Sequence, residues 1–380
     1  MKHRHANLFF LLSALIALEF AGAAWADAPV TRTLYQMIAV PAGGTVKVEN
    51  LVGHMTVIQD SGSLRVSTVN GAAVLAQEML GRSPLRVTAT VVASGSQAQA
   101  LAQSVKLEVS TSGKQITVHV HYPVDQYRSY LYNPPRTTGN GNGNHCFLGF
   151  VCVRGNGHSD VDYQGARAQV VENSDIGTPL YVDVAVQLPP GVSATFVNDA
   201  GLLEAGNLAN TLSLITEGGD IGVQNLNGDL SANTSGGDLN GVNLKGEVKL
   251  DTGGGDTDLE TVTGTLHAAT GGGDLHVTGD LSVLSTFYAH TGGGDLRVSG
   301  DVPALRDLDV STSGGDAVLK LDNLSMHLET SASGGDVNVH FPDISGNVVS
   351  KGDYFSGDIG KAAGKGTINS SGGDITVSGN

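Results

Sequence analysis

"TSGGDLNGVNLKGEVKLDTGGGD", Thr234 to Asp256, decides the fold. It opens and closes on one phrase: a threonine, three small residues ending in Gly, then an aspartate. The two aspartates, Asp238 and Asp256, stand 18 residues apart. Between them apolar or small side chains fall at Leu239, Gly241, Leu244, Val248, Leu250 and Thr252. Runs of period two on either side of Gly246 describe two short strands joined by a turn, each with one face to bury.

The phrase recurs outward in both directions. Gly-Asp corners end at Asp220, Asp238, Asp256, Asp274, Asp295, Asp316, Asp336 and Asp374, at intervals of 18 and then 20 or 21 residues until the last long gap. Asp358 in "SGDIG" divides that gap, and Leu202 keeps the register upstream. One such unit cannot bury its own apolar face, but stacked copies can. The sequence therefore predicts an all-β chain whose main body is a parallel β-solenoid (β-helix). It would have about ten rungs of 18–22 residues, running from near residue 195 to the C-terminus and forming a rod roughly 45 Å long. Glycine at the corner would permit positive φ and close backbone approach. The aspartate would accept backbone N–H groups and fix the turn. Thr216, Thr234, Thr252, Thr270, Thr291 and Thr312, each four residues before its Asp, would stack as a hydroxyl ladder. Ala332 and Ser370 interrupt that ladder late in the chain.

Composition agrees with this reading. Of 380 residues, 53 are Gly, while aromatics make up only 5% and charged residues 15%, which suits a turn-rich β protein better than a solvated disordered chain. Residues 1–26 read as a secretory signal: basic Lys2 and Arg4, an apolar run over 8–18, and a small-x-small site that places cleavage between Ala26 and Asp27. Removing Lys2, Arg4 and Glu19 leaves 19 basic and 36 acidic residues. That balance disfavours nucleic acid and anionic membranes as partners. No transmembrane segment is expected in the mature chain.

Residues 27–127 read as a β-rich N-terminal part of the solenoid, in which "GGTVKVENLVGHMTVIQ" (Gly43 to Gln59) resembles an early rung. Stretches 72–81 and 97–103 could be short helices. Residues 128–165 break the pattern as a Gly/Asn-rich loop insert, and 166–380 carry the repeats. Cys146 and Cys152, in an exported chain, fit a small-loop disulfide; a zinc site with His145 and His158 is the alternative reading. Tyr122, Tyr127, Tyr130, Tyr132, Phe147 and Phe150 gather at the insert. They could either cover the side of the solenoid or contact a partner. Tyr127, Tyr130, Tyr132, Phe147 and Phe150 are the candidate partner-binding residues.

This arrangement resembles the bacterial DUF4097 family, labelled as adhesins, and is similar to the head domains of DUF2807 proteins. The residues that carry the resemblance are "VKVENLVGHMTV", "VDVAVQLPPGVSATFVNDAG" and the "NLNGDLSANTSGGDL"-type rungs. The resemblance implies a β-solenoid envelope protein and brings no catalytic residues with it.

The expected function is an exported, non-enzymatic structural or adhesin-like interaction module, periplasmic or on the cell surface. Its partner would be an envelope or surface protein or a polysaccharide. No cofactor is expected. A second reading is a Ca²⁺-stabilised adhesin, because stacked carboxylates repel by roughly 3 kcal/mol per neighbouring pair at an effective dielectric of about 20. Its candidate ligands are Asp238, Asp256, Asp274, Asp295 and Asp316. The chain lacks the nonapeptide motif of calcium-binding β-rolls. A third reading is a polysaccharide-active β-helix enzyme. It is weakened because the repeated aspartates look architectural, whereas a catalytic pair is singular.

Overall fold

The computed structural model describes residues 28–60, 83–132, 144–147, 151–154, 159–171 and 176–380, with backbone alone for 144–147, 151–154 and Ser159. The expected cleavage site and the expected helix at 72–81 lie outside the described residues. The other expected helix is present as Ala98–Ser104.

The repeats form the expected parallel β-solenoid. Leu239–Thr252 pairs along its length with Thr257–Thr270, so that Leu239 lies on Thr257, Leu244 on Val262, Val248 on Leu266 and Thr252 on Thr270. Alternation decides which face is buried: Leu230–Thr234 reads buried, exposed, buried, exposed, buried. Each rung contributes one arm before the Gly-Asp corner and one after it, giving two parallel ladders around a core of stacked Leu, Val, Ile and Ala with Phe196 and Phe287.

The order of rungs along the rod departs from chain order at both ends. The rung Ser193–Ala200 with Leu203–Leu208 rests on Thr45–Val52 and Met55–Gln59, so the "VKVENLVGHMTV" segment is indeed a rung. At the far end, Asp307–Thr312 and Ala317–Asp322 do not pair with the next segment of chain. They pair with the last strands, Lys365–Ser370 and Ile375–Ser378. Those strands in turn carry Met326–Ala332 and Val337–His340 as the outermost rung. The C-terminal strands are therefore wedged between two rungs that precede them in the chain. Asp358, expected at a corner, instead lies in Tyr354–Ile359, which runs antiparallel to Met326–Ala332 and pairs with Ile344–Lys351. The hydroxyl ladder gives a reason for this order. Ser370 replaces threonine chemically: its Oγ accepts the Gly373 N–H at 2.9 Å and donates to the Gly315 carbonyl at 3.4 Å. Ala332 can do neither, and its rung sits at the end, where the ladder stops.

Both ends of the rod are closed by antiparallel strands, which blunts the open edges a solenoid would otherwise present. At the N-terminal end Gln115–His121 extends the first ladder and Lys106–Ser112 turns back against it. On the second ladder Leu180–Leu188 is followed by antiparallel Leu85–Ala93 and Val30–Ile38. Much of the stretch expected as solenoid in 27–127 is thus a cap. Within the expected loop insert, Ser129–Leu131, Ser159–Tyr163 and Ala166–Val171 form a separate three-stranded sheet.

Candidate functional site

The corner ladder is continuous. Each aspartate Oδ1 accepts the backbone N–H of the aspartate one rung on: Asp220 from Asp238, Asp238 from Asp256, Asp256 from Asp274, Asp274 from Asp295 and Asp295 from Asp316, all at 2.8–2.9 Å. The wedge continues it, Asp316 accepting from Asp374 and Asp374 from Asp336, both at 2.8 Å. The five calcium candidates therefore commit one carboxylate oxygen each to the backbone. Solvent exposure and Arg297, whose guanidinium bonds Asp295 at 2.7 Å, moderate their mutual repulsion. The N–H from Asp316, with Arg297 adding to it, holds the Asp295 carboxyl below the usual range. Among the described residues, no group of three or more His, Cys, Asp or Glu is placed to hold a metal ion.

Glycines that precede the corner aspartates serve close approach and do not use positive φ. A Cβ on Gly255 would strike the Gly237 carbonyl, whereas the left-handed glycines lie at the opposite turn, as at Gly264 with φ 107°, or at the two corners without an aspartate, Gly53 with φ 135° and Gly201 with φ 99°. That opposite turn also carries an asparagine ladder, missed in the sequence although its members recur every 18 residues. Asn207, Asn225 and Asn243 all have φ of 52–56°, and their amides bond in series at 2.9–3.0 Å.

Asp220 differs from the rest of the acidic ladder. It is buried, its Oδ2 lacks a partner among the described residues, and desolvation pushes its pKa up to about 7. Buried Asp199 beside Glu217 and Glu49 is raised to about 7 as well. A folded pKa above the unfolded 3.8 means that the native state binds more protons between these values. Stability from this source is full below pH ~4 and is lost as pH rises toward ~7. Asp220→Asn keeps an oxygen for the Asp238 N–H and removes the charge. Urea midpoints at pH 5 and pH 8 should therefore lie closer together in that variant, Asp199 keeping a residual gap, with a gain at pH 8 on the order of a few kcal/mol. An unchanged gap between the two midpoints would contradict the assignment.

The insert tyrosines are cover, which corrects two of the partner candidates. Tyr130 is 0% and Tyr132 4% exposed. Tyr122 meets Tyr130 and Tyr163 edge-to-face at 5.4 and 5.9 Å, and Tyr132 meets Tyr181 at 5.5 Å. The buried Tyr122 hydroxyl is satisfied, donating to the Val52 carbonyl at 2.8 Å, whereas that of Tyr130 has no partner among the described residues. Tyr127 is half-buried, with its hydroxyl on Gln97 at 3.2 Å. Phe150 lies outside the described residues, and for Phe147 only the backbone is described. Cys146 and Cys152 face each other across the antiparallel pair Asn144–Phe147 and Val151–Arg154. His119 bonds Glu108 at 3.0 Å.

The outward surface of the first ladder offers a different site. Ser231, Lys249, His267, Tyr288 and Asp309 stack in one column, one per rung. Asn233, Asp251, Ala269, His290 and Ser311 stack in the next. Between them runs an open trough of about 460 Å³. Its floor is low at Ala269, the smallest outward side chain of the second column. The His267 and Tyr288 rings lie 4.7 Å apart, tilted by 30°, and His290 Nδ1 is 2.9 Å from Ser311 Oγ. Aligning the rungs by their corner aspartates would have revealed these columns; reading only the inward positions did not.

A family model agrees with the architecture of the repeats. Residues 192–378 match the family model Toastrack DUF4097. Two solved structures are similar. One is a candidate cell adhesion protein from Clostridium sporogenes, 11% identical, covering 93% of this chain and all of that one, with a TM-score of 0.18. The other is a candidate adhesin from Parabacteroides distasonis, 12% identical, covering 90% of this chain and 96% of that one, with a TM-score of 0.26. No curated protein matches the chain. Among the described residues, no helix is long and apolar enough to cross a membrane.

Proposed function

We propose that this chain, with its Toastrack solenoid over residues 192–378, is exported and serves as a non-enzymatic, adhesin-like interaction module of the cell envelope. The observation that carries the reading is the outward trough: an exposed aromatic and several polar side chains held on stacked strands, a rigid display with a shallow and open shape. Rigid presentation suits recognition, because little side-chain or backbone order has to be gained on binding. The basic start, apolar run and Ala26–Asp27 site support export. Export places Cys146 and Cys152 in an oxidising compartment. Their cross-strand opposition brings the Cα atoms to about 4.5–5.5 Å, inside the range a disulfide spans.

The test is expression of the full chain in a Gram-negative host. Protein recovered outside the cytoplasm should begin at Asp27, show no free thiol until reduced, and co-sediment with isolated cell-wall and outer-membrane material. Tyr288→Ala should weaken that co-sedimentation without lowering the melting temperature, since Tyr288 is 37% exposed. Uncleaved protein in the cytoplasm, or sedimentation indifferent to the trough, would overturn the reading.

A further inference from the structure

We infer that the trough over Ser231–Ser311 is a binding site for a neutral saccharide chain. The inference rests on the interaction-module reading above and adds the chemical class of the ligand. Aromatic side chains are scarce in this protein, and among the described residues the others are buried or partly buried. Tyr122, Tyr130, Phe196 and Phe287 are all fully buried. Tyr288 is the one aromatic among the large exposed apolar side chains of the described residues. It stands in a column whose other members are Ser231, Lys249, His267 and Asp309. Packing of the core does not require a ring there. The neighbouring inward residues, Phe287 and Ala289, already fill that rung.

The groups around the ring are of mixed character. Lys249 offers N–H donors; Asp251 and Asp309 offer acceptors; Asn233, Ser231 and Ser311 offer both. Such a set meets a ring of hydroxyl groups, each of which donates and accepts, while the apolar face of a pyranose lies on the Tyr288–His267 platform. Ala269 supplies the clearance beneath. A volume of about 460 Å³ lies in the range of sites for small organic ligands, enough for a short oligosaccharide segment. Charge argues against anionic ligands. Asp251 and Asp309 stand on the trough, Lys249 is already paired with Glu247 at 2.5 Å, and the chain as a whole carries a net charge of −16. The two columns run on past the trough, through Ser213 and Ile215 on one side and Thr367 and Asn369 on the other. A polymer can therefore extend beyond the trough along the same strand face.

The experiment is isothermal titration of the mature protein, residues 27–380, with soluble gluco-, manno-, galacto- and N-acetylglucosamine oligosaccharides, and with oligogalacturonate as the acidic comparison. At least one neutral oligosaccharide should bind with sub-millimolar affinity, little dependent on salt. Tyr288→Ala and His267→Ala should each weaken it at least tenfold, with melting temperatures unchanged. Lys320→Ala, exposed on the second ladder and away from the trough, should leave it within twofold. Failure of every neutral oligosaccharide overturns the inference, as does salt-sensitive binding of oligogalacturonate that survives Tyr288→Ala. If envelope sedimentation still depends on Tyr288 while no saccharide binds, the saccharide is wrong and the interaction module stands. In that case the trough takes a protein. If sedimentation also fails, both readings fall.

Discussion

Deletion of residues 361–380 will loosen more of the protein than the deleted segment. In a solenoid built in chain order, removing the last repeat strips one end and leaves the rest, because each rung contacts only its neighbours. Here the last strands lie inside the stack. Ile368, Ile375 and Val377 are fully buried, each worth about 1.5–3 kcal/mol in transfer free energy. Their loss also removes Asp374, the ladder partner of both Asp316 and Asp336, and separates Met326–Ala332 and Val337–His340 from the rod. Direct redocking of that rung on Asp307–Asp322 would place Ala332 where Ser370 bonds the Gly315 carbonyl. Hydrogen exchange should show strands between 326 and 359 losing protection, with 230–252 retaining theirs. Full protection across 326–359 in the truncated chain would sink the wedge arrangement.

Gly255→Ala should cost about 3 kcal/mol or more, and its neighbour Gly254→Ala almost nothing. The two glycines differ by one position and by no local preference that either sequence or φ reveals. A Cβ on Gly255 would meet the Gly237 carbonyl and lie 2.7 Å from Asp238 Oδ1, while one on Gly254 would meet nothing within 4 Å. The clash falls between two rungs at mid-rod, beside the 2.9 Å bond from the Asp256 N–H to Asp238 Oδ1. Relief requires spreading the rungs, which weakens the ladder and the core together. Urea denaturation of the two variants is sufficient to compare them; equal midpoints would mean that the rungs are not stacked as closely as this.

Rung architecture was legible because it is written locally. The 18-residue recurrence, the period-two burial and the threonine four residues before most corner aspartates are properties of contiguous segments, and stacking similar segments satisfies them all at once. The partner site was not legible in the same way. Tyrosines near a turn-rich insert look available to a ligand. Whether they are available depends on a docking event that places Tyr130 against Tyr122 and Tyr132 against Tyr181. Outward columns were hidden for another reason: Lys249, His267 and Tyr288 are separated by 18 and 21 residues and become neighbours only through the register.

By itself, then, the sequence determined the unit, its strand faces, its corner chemistry and the parallel stacking of units. Only the tertiary structure decided which unit lies on which. Every Gly-Asp corner offers the same N–H and the same carboxylate, so local chemistry cannot rank Asp336 against Asp374 as the neighbour of Asp316. The choice falls to what the whole chain must bury and cap. The hairpin of Ile344–Lys351 and Tyr354–Ile359 covers the rung that lacks a corner hydroxyl, and the remaining strands, with Ser370, enter the place left inside.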